Sequence, residues 1–181
     1  MKIVDLAVQS DEIHEQAAAL LVDHFVEPRG WPTLAAAQEE VATVIRDGFA
    51  RAAVDGRLLL GWVGGLPDYN GRVWELHPMV VHRDHRHRGI GRALVAAFEN
   101  EARSRGALTA TLGTDDDSGM TSLSDIDLYG DIPRHIAELS DRGRCHPFLF
   151  YRKMGFVVTG VMPDANGRGR PDIFMSKRVS T

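Results

Sequence analysis

The chain has 181 residues, of which 44% are hydrophobic and 25% are charged, and its formal net charge is −4. These values are ordinary for a globular protein and predict a single domain over residues 1–181 with its own hydrophobic core. A single cysteine, Cys145, excludes a disulfide framework and a cysteine-based zinc site. No charged-then-apolar leader and no apolar run of about 18 residues occurs, so we expect a cytoplasmic protein.

Charge is distributed unevenly along the chain. The segment 82–92 holds four arginines and three histidines against one aspartate, whereas the segment 106–133 holds six aspartates and no lysine or arginine. The first segment favours an anionic partner and the second a cationic one. Nucleic acid is a poor candidate for the basic segment, because the chain as a whole is acidic and no aromatic residues are interleaved with the arginines.

The first elements predicted are a strand followed by two helices. Alternating apolar residues indicate a strand over 2–8. Ser10 is the predicted cap of a first helix, whose apolar period ends at Pro28 and Gly30. Thr33 caps a second helix, which ends near Gly48. The inward side chains expected for the second helix are those of Ala37, Val41, Val44 and Ile45.

A hairpin and a long strand come next. The Asp-Gly pair at 55–56 predicts a two-residue turn between two strands. The glycine pair at 64–65 indicates a bulge or a close approach of another backbone segment. The Asn-Gly pair at 70–71 predicts a second turn, which feeds a strand over 72–81.

Short elements are predicted for the C-terminal part of the chain. We expect strands over 108–112, 156–161 and 173–178 and short helices over 135–139 and 146–154. Strands alternating with helices, together with the early hairpin, predict a mixed α/β fold.

The rest of the chain is organised around the segment 80–105. Two valines end an apolar strand, a basic loop follows, and Gly89-Ile90-Gly91 opens an amphipathic helix that Gly106 ends. The N–H groups of a first helical turn have no partner within the helix, the helix dipole adds positive charge there, and glycine lets an anion approach closely. This combination predicts an anion site.

The basic loop fits neither of two common nucleotide-binding patterns. It lacks the lysine of the P-loop and the third glycine of the dinucleotide fingerprint. It does contain Arg-x-x-Gly-x-Gly, from Arg86 to Gly91, and this pattern resembles the pyrophosphate-binding motif of the GNAT superfamily of N-acetyltransferases. The alternative is a basic loop that only caps the helix.

Further blocks of sequence after Val73 strengthen this resemblance. They resemble the chromosomal, homodimeric branch of the aminoglycoside 6′-N-acetyltransferases, although before Val73 the likeness is limited mainly to Trp31-Pro32 and the hairpin. The resemblance implies the GNAT acyltransferase fold, with a mixed, mostly antiparallel central sheet that helices flank and that splays at the acetyl-CoA site. The blocks lie at 74–81, 112–116, 121–129, 146–156, 161–167 and 170–173.

The resemblance also implies a reaction. Acetyl-CoA serves as co-substrate, and the 6′-amino group of an aminoglycoside attacks the thioester directly, which confers antibiotic resistance. Two alternatives stay open: acetyl transfer to another small polyamine or amino-sugar, and a non-catalytic module that binds cationic ligands. In each case the expected partner is a small polycation rather than nucleic acid or a membrane.

Acetyl transfer to an amine requires loss of a proton and stabilisation of a developing oxyanion. The resemblance places Glu75 and His77 beside the acetyl group, and their spacing puts both on one face of a strand. Glu75 is the candidate base or an anchor for the substrate's ammonium group, and His77 is a relay, a positioning group or a structural histidine. The Met79 N–H is the candidate oxyanion donor, which implies a splayed or bulged strand, and Tyr151 is the candidate acid for the thiolate.

The remaining implied site residues bind coenzyme or acceptor. For the acidic residues the alternative is a solvated loop; a calcium loop fails on register, because it places Thr114 at the first ligand position. The histidines at 82, 85 and 87 lack zinc-site spacing, so we expect no metal. The residues implied to bind acetyl-CoA are Val80, Val81, Arg86, His87, Arg88, Gly89, Ile90, Gly91, Arg92 and Tyr151. The residues implied to bind the acceptor are Trp31, Glu75, His77, Asp115, Asp116 and Asp172.

Overall fold

The computed structural model describes residues 1–25 and 30–180. The chain forms two compact units, one over Met1–Ala110 with the residues from Val179, the other over Thr111–Arg178. The first unit contains β1 (Lys2–Asp5), α1 (Asp11–His24), α2 (Leu34–Asp47), β2 (Phe49–Asp55), β3 (Leu58–Asp68), β4 (Val73–Val81) and α3 (Ile90–Ser104). Strand β5 (Thr109–Asp115) leads into the second unit, which contains α4 (Ile132–Ala137), α5 (Phe148–Lys153), β6 (Val157–Met162) and β7 (Asp172–Arg178).

The four strands of the first unit follow one another in space as they do in sequence, and each is antiparallel to the next. Helices α1 and α2 pack against each other and against β3, and their apolar faces enclose the core that includes Leu21, Val44 and Trp62. The Trp62 indole N–H donates to the Ala17 carbonyl at 3.1 Å, so the buried ring leaves no unsatisfied donor.

The first two helices begin and end close to where the sequence predicts. As predicted, Thr33 caps α2, because its hydroxyl oxygen accepts the Ala36 N–H at 3.1 Å, and Gly48 ends that helix. Helix α1 begins after Ser10 and ends at His24, but the Ser10 side chain makes no capping hydrogen bond, so the side-chain cap predicted there is wrong. The predicted stop at Pro28 lies outside the described residues.

The first strand is shorter than predicted. Strand β1 ends at Asp5, and the three residues Leu6–Val8 form a 3-10 turn instead. The Asp5 carboxylate accepts the Ala7 N–H at 3.0 Å, which turns the chain inward and buries Leu6 completely. Alternating apolar residues therefore misled the prediction over 6–8, since Val8 is exposed.

The predicted hairpin and bulge are both present. Gly56 and Arg57 join β2 to β3, one residue later than the predicted Asp55-Gly56 turn, and Gly56 has a φ of 61°. In the ladder between β3 and β4, Val63 faces Met79 and Gly65 faces Leu76, so two residues of β4, His77 and Pro78, face Gly64 alone. A Cβ added at Gly64 would lie 2.3 Å from the His77 carbonyl oxygen, so the close approach was predicted correctly as well.

In the second unit the strands are neighbours in the order β5, β7, β6, and β6 is antiparallel to β7. Helix α4 is displaced toward the N-terminus from its predicted position, and α5 lies within its predicted range but is shorter. Helix α4 starts at Ile132, because the Asp131 carboxylate accepts the Arg134 N–H at 3.1 Å. Helix α5 starts at Phe148, because the Nδ1 atom of His146 accepts the Phe148 N–H at 3.1 Å. The unit's fully buried side chains include Leu112, Phe148, Phe156, Ile173 and Met175.

The prediction of a mixed α/β fold with mostly antiparallel strands is confirmed. The single domain stays a prediction, as does the splaying of strands at a coenzyme site. Over residues 1–25 and 30–180, none of the helices combines the length and the apolar composition that crossing a membrane requires.

Candidate active site

Strand β4 alternates between buried and partly exposed side chains along its whole length. Trp74, Leu76 and Val80 are buried, whereas Glu75 and His77 are partly exposed. The two-residue spacing therefore does bring Glu75 and His77 to the same face. Met79 and Val81 continue this face toward the basic loop, and the bulge predicted for an oxyanion donor lies immediately before Met79.

The Glu75 side chain is available for chemistry. It is partly exposed, and it makes no hydrogen bond or ion pair with any residue that the structure describes. A carboxylate in this setting can accept a proton from an amine or hold an ammonium group, and both tasks require the same geometry.

His77 contacts a carboxylate that the sequence did not indicate. Its Nε2 lies 3.4 Å from Oε1 of Glu40, on α2. The Trp31 indole N–H donates to the other oxygen of Glu40 at 3.3 Å, and the rings of Trp31 and His77 lie 6.2 Å apart between centroids. Trp31, Glu40 and His77 thus form one cluster, which we call the α2 cluster.

Arg86, the first residue of the glycine motif, is held by two contacts. Its guanidinium donates to Nδ1 of His24 at 2.7 Å and to the Val81 carbonyl at 3.4 Å. Burial lowers the pKa of His24, and the charges of Arg86 and Arg83 lower it further. The neutral imidazole can therefore accept the hydrogen bond, and it orients Arg86.

A cavity of about 310 Å³ lies where α1, the end of β4 and the basic loop meet. Its wall includes Val80, Val81 and Arg86, which the sequence resemblance implies to bind acetyl-CoA. Leu20 and His24 also line the cavity. An apolar strand end beside a guanidinium suits a ligand that has an aliphatic arm and an anionic group.

The N-terminus of α3 has the geometry of an anion site. Gly89, its N-cap, has a φ of 82°, and no side chain caps the helix end. A Cβ at Gly89 would meet no atom within 4 Å, so the glycine is required by the backbone conformation and the space above it is open. The N–H groups of Ile90 and Gly91, in the first turn, have no partner within the helix, and Arg92 is exposed nearby. His87 and Arg88 are exposed in the same loop.

In the second unit Asp115 ends β5 with an exposed side chain. The amide of Asn166 donates to its carboxylate, which holds the group in place. The backbone carbonyl oxygen of Asp115 accepts a hydrogen bond from Nε2 of His146 at 3.0 Å. Because Nδ1 of His146 accepts the Phe148 N–H, the neutral tautomer with its proton on Nε2 fits both bonds. Burial lowers the pKa of His146, which agrees with this neutral state.

Asp116 differs from its predicted role. Its side chain is completely buried, and its carboxylate accepts hydrogen bonds from the Met120 N–H at 2.6 Å and from the Thr121 N–H at 2.7 Å. The hydroxyl groups of Thr121 and Ser124 donate to it at 2.6 and 2.7 Å. Burial raises its pKa, but these hydrogen bonds outweigh burial and the net shift is downward. The geometry thus favours a role in ordering the loop 116–124 over one in binding an ammonium group.

Asp172 begins β7 and lies against β5 of the same unit. A Cβ added at Gly113 would come within 2.6 Å of Oδ2 of Asp172, so a glycine at 113 makes room for this carboxylate. Gly113 was part of the sequence resemblance, and its contact with Asp172 gives a physical reason for the residue.

Tyr151 lies on α5 with its ring buried among aromatic neighbours, Phe150 and Phe156, at centroid distances of 5.1 and 5.8 Å. Burial raises the pKa of its hydroxyl. The hydroxyl makes no hydrogen bond with the described part of the chain. The group therefore keeps its proton at neutral pH and can donate a hydrogen bond.

Among residues 1–25 and 30–180, histidine, cysteine, aspartate and glutamate side chains form no group of three or more that could hold a metal ion.

Comparison with known proteins assigns this arrangement to a class of enzymes. The sequence profile of the acetyltransferase (GNAT) family matches residues 12–124, and the chain belongs to this family. Among curated proteins, none matches the chain.

Solved structures give a finer likeness. The chain is similar to an aminoglycoside 6′-N-acetyltransferase complexed with coenzyme A, with 38% identity, a TM-score of 0.92 and coverage of 99% of this chain and 97% of that one. It is similar to the aminoglycoside 6′-N-acetyltransferase from Enterococcus faecium, with 37% identity, a TM-score of 0.90 and the same coverage of the two chains, 99% and 97%. A third similar structure is an aminoglycoside 6′-acetyltransferase type Ii, with 34% identity, a TM-score of 0.74 and coverage of 99% and 97%.

Proposed function

We propose that this protein transfers the acetyl group of acetyl-CoA to the 6′-amino group of aminoglycosides. The observation that carries the proposal is the likeness, over 99% of the chain at 38% identity, to an aminoglycoside 6′-N-acetyltransferase that binds coenzyme A. Three features of the structure fit that reaction. The N-terminus of α3 is open, two contacts orient Arg86, and the Glu75 carboxylate makes no hydrogen bond or ion pair with the described residues.

The basic loop and α3 hold the coenzyme in this proposal. The N–H groups after Gly89 and the guanidinium groups of Arg86, Arg88 and Arg92 bind the pyrophosphate, since aligned donors at a helix N-terminus favour anions. Val80 and Val81 at the cavity wall pack against the aliphatic arm. His87 contributes its backbone to the turn, where its φ is 61°. When bound, acetyl-CoA supplies an acetyl thioester, the electrophile of the reaction.

Glu75 and Met79 act on the reacting amine and the carbonyl group. Glu75 accepts a proton from the acceptor's ammonium group, directly or through water, so that the nitrogen lone pair attacks the carbonyl carbon. The Met79 N–H donates to the carbonyl oxygen as negative charge develops there. The nitrogen then loses its second proton to water, the carbon–sulfur bond breaks, and the amide product and the coenzyme thiolate separate.

Tyr151 stabilises the leaving sulfur. A thiol has a pKa of about 8.5, well below that of a buried phenol, so complete proton transfer from Tyr151 to the thiolate is uphill. Donation of a hydrogen bond from the phenol is favourable and supplies part of the same stabilisation. We therefore expect Tyr151 to accelerate the reaction without being indispensable.

Carboxylates of the second unit collect the acceptor's other ammonium groups. The exposed side chain of Asp115 and the partly exposed side chain of Asp172 supply this charge, because each ammonium group is a charged donor that a carboxylate pairs well. Trp31 and His77 offer ring faces and edges to the sugar rings. Asp116 organises the acidic loop from within instead of meeting the acceptor.

Thiol release from acetyl-CoA with two acceptors tests the proposal. Neomycin carries an amine at the 6′ position, and paromomycin carries a hydroxyl group there. Rapid release with neomycin and little release with paromomycin is the expected result. Equal release would move the acetylated amine to another position, and no release with either acceptor would refute the proposed activity.

The proposal includes a cellular setting and an assembly. The protein acts in the cytoplasm as a homodimer, and its activity confers resistance; these points rest on the composition of the chain and on the sequence resemblance. Sedimentation at micromolar concentration tests the dimer, and a monomer would contradict it. Expression in a susceptible strain, with inhibitory concentrations measured for both acceptors, tests resistance.

A further inference from the structure

We propose that Glu40 is a positioning residue that locks His77 and Trp31 into one rigid wall for the acceptor. The proposal rests on the proposed function, because it gives a role to a residue beside the proposed acceptor site. Glu40 lies on α2, and its two contacts are the observations from which the role follows.

Each carboxylate oxygen of Glu40 has its own partner. Oε1 faces Nε2 of His77 at 3.4 Å, and Oε2 accepts the Trp31 indole N–H at 3.3 Å. The Glu40 side chain is 22% exposed, whereas that of neighbouring Glu39 is 74% exposed. Glu40 is therefore turned into the protein, toward the two rings.

The contact with His77 constrains the chemistry of its ring. A carboxylate accepts only, so a stable contact requires a proton on Nε2 of His77. The nitrogen that remains able to accept is then Nδ1, and the ring plane is fixed by the carboxylate. Since Glu75 lies two residues away on the same face of β4, fixing His77 also fixes the width of the space beside Glu75.

The contact with Trp31 fixes the other side of the wall. A tryptophan indole N–H needs an acceptor when it is partly buried, and Glu40 supplies it. The ring of Phe25 contacts Trp31 edge-on, with 5.3 Å between the ring centroids. Packing and hydrogen bonding together therefore hold the indole in place. The Glu40 carboxylate thus links the ring of Trp31, in the loop before α2, to His77 on β4.

A readout that does not depend on activity tests the geometry first. The indole N–H signals of the three tryptophans are recorded by NMR, and Trp31→Phe identifies the signal of Trp31. Glu40→Ala is expected to shift this signal and to speed its hydrogen exchange about tenfold, whereas Glu39→Gln, one position away, leaves it unchanged. A Trp31 signal that Glu40→Ala does not alter would overturn the proposal.

Kinetics then separate positioning from direct binding of a cation. Glu40→Ala is expected to raise the KM for neomycin about tenfold, with the KM for acetyl-CoA unchanged and kcat lowered less. In a Trp31→Phe/His77→Gln background the same substitution is expected to add less than about a twofold change, because its partners are gone. A full tenfold effect in that background would mean that Glu40 binds the acceptor itself and would overturn the positioning role.

Failure of this inference is distinguishable from failure of the proposed function. If the unaltered enzyme acetylates neomycin, and Glu40→Ala leaves both the Trp31 NMR signal and the KM for neomycin unchanged, only the positioning role of Glu40 is refuted. If the unaltered enzyme does not acetylate neomycin, the proposed function falls, and the NMR experiment still decides whether Glu40 holds Trp31.

Discussion

Replacing Asp116 by asparagine tests whether the buried carboxylate orders the acidic loop or binds the acceptor. Oδ2 accepts three hydrogen bonds, from the Thr121 N–H and from the hydroxyl groups of Thr121 and Ser124, and Oδ1 accepts one from the Met120 N–H. The least costly amide orientation keeps the oxygen toward the three donors. The amide NH₂ then faces the Met120 N–H, so two donors meet, and the other three bonds lose their charge.

The magnitude follows from these four bonds. A hydrogen bond to a charged group contributes about 1.5–3 kcal/mol, so losing one bond and weakening three should cost about 3 kcal/mol of unfolding free energy. For a protein of this size that corresponds to a fall in Tm of roughly 6–12 °C. Circular dichroism measures the Tm of Asp116→Asn, and thiol release measures its KM for neomycin.

Two further substitutions complete this experiment. Asp115→Asn is expected to raise the KM for neomycin with little change in Tm. Asp117→Asn, at an exposed position, is expected to change the KM and the Tm only slightly. A normal Tm together with a raised KM for neomycin in Asp116→Asn would refute the assignment and return Asp116 to the acceptor site.

The pH dependence gives a second check on Asp116. Its folded-state pKa is lowered, so the stabilisation is complete above the unfolded value of about 3.9 and is lost as the pH falls through the folded value. The difference in unfolding free energy between the native protein and Asp116→Asn should therefore be constant from neutral pH to about pH 5 and shrink below about pH 4.

Further substitutions test the coenzyme and catalytic roles. Gly89→Ala places an L-residue at a φ of 82° at a cost of about 1–2 kcal/mol and should raise the KM for acetyl-CoA several-fold, measured by thiol release. Glu75→Gln should lower kcat by about 10²-fold or more if Glu75 is the base. Tyr151→Phe should lower the rate to below about a tenth of its normal value, because the sulfur loses a hydrogen-bond donor. His146→Gln should flatten the decline of Tm as the pH falls below about 6.5, because the lowered folded-state pKa of His146 makes its stabilisation complete above that pH and progressively weaker below it.

Each of these predictions has a result that contradicts it. Gly56→Ala is the matched control for Gly89→Ala, since Gly56 also has a positive φ and open space around it but lies in a hairpin; equal effects of both on KM would point to general strain. A raised KM with normal kcat in Glu75→Gln would make Glu75 an anchor. An unchanged rate in Tyr151→Phe, or an unchanged slope of Tm against pH in His146→Gln, would remove those roles.

Local patterns predicted the parts of the fold that local physics determines. The cap at Thr33 and the hairpin after Asp55 depend on residues close in sequence. The glycine pair at 64–65 indicated where the ladder is irregular, although the extra residue lies on β4. The exposed face of β4 follows from the alternation of apolar and polar residues, which places Glu75 and His77 on the same side of the strand. These features needed no knowledge of distant contacts.

The burial of Asp116 was not predicted although a signal existed. Buried positions in β5 alternate through Ala110, Leu112 and Thr114, and the same alternation continues to Asp116 and puts Asp115 on the other face. The shared charge of the two aspartates suggested a shared role, whereas the two-residue period of the strand separates them. Periodicity was the better guide here.

Glu40 could not be found from local sequence alone. Its partner His77 lies on a different element, and a single sequence carries no direct information on such contacts. The helical period offered a partial hint, because Glu40 is three residues from buried Ala37 and four from buried Val44 and so borders the inward face of α2. The hint places the side chain at an edge without naming its partner.

His146 links two of the proposed functional groups. Its ring joins the carbonyl of Asp115, at the end of β5, to the N–H of Phe148, at the start of the helix that carries Tyr151. If Asp115 binds the acceptor and Tyr151 serves the leaving sulfur, as proposed, a single imidazole connects the two sides of the reaction within one unit of the protein.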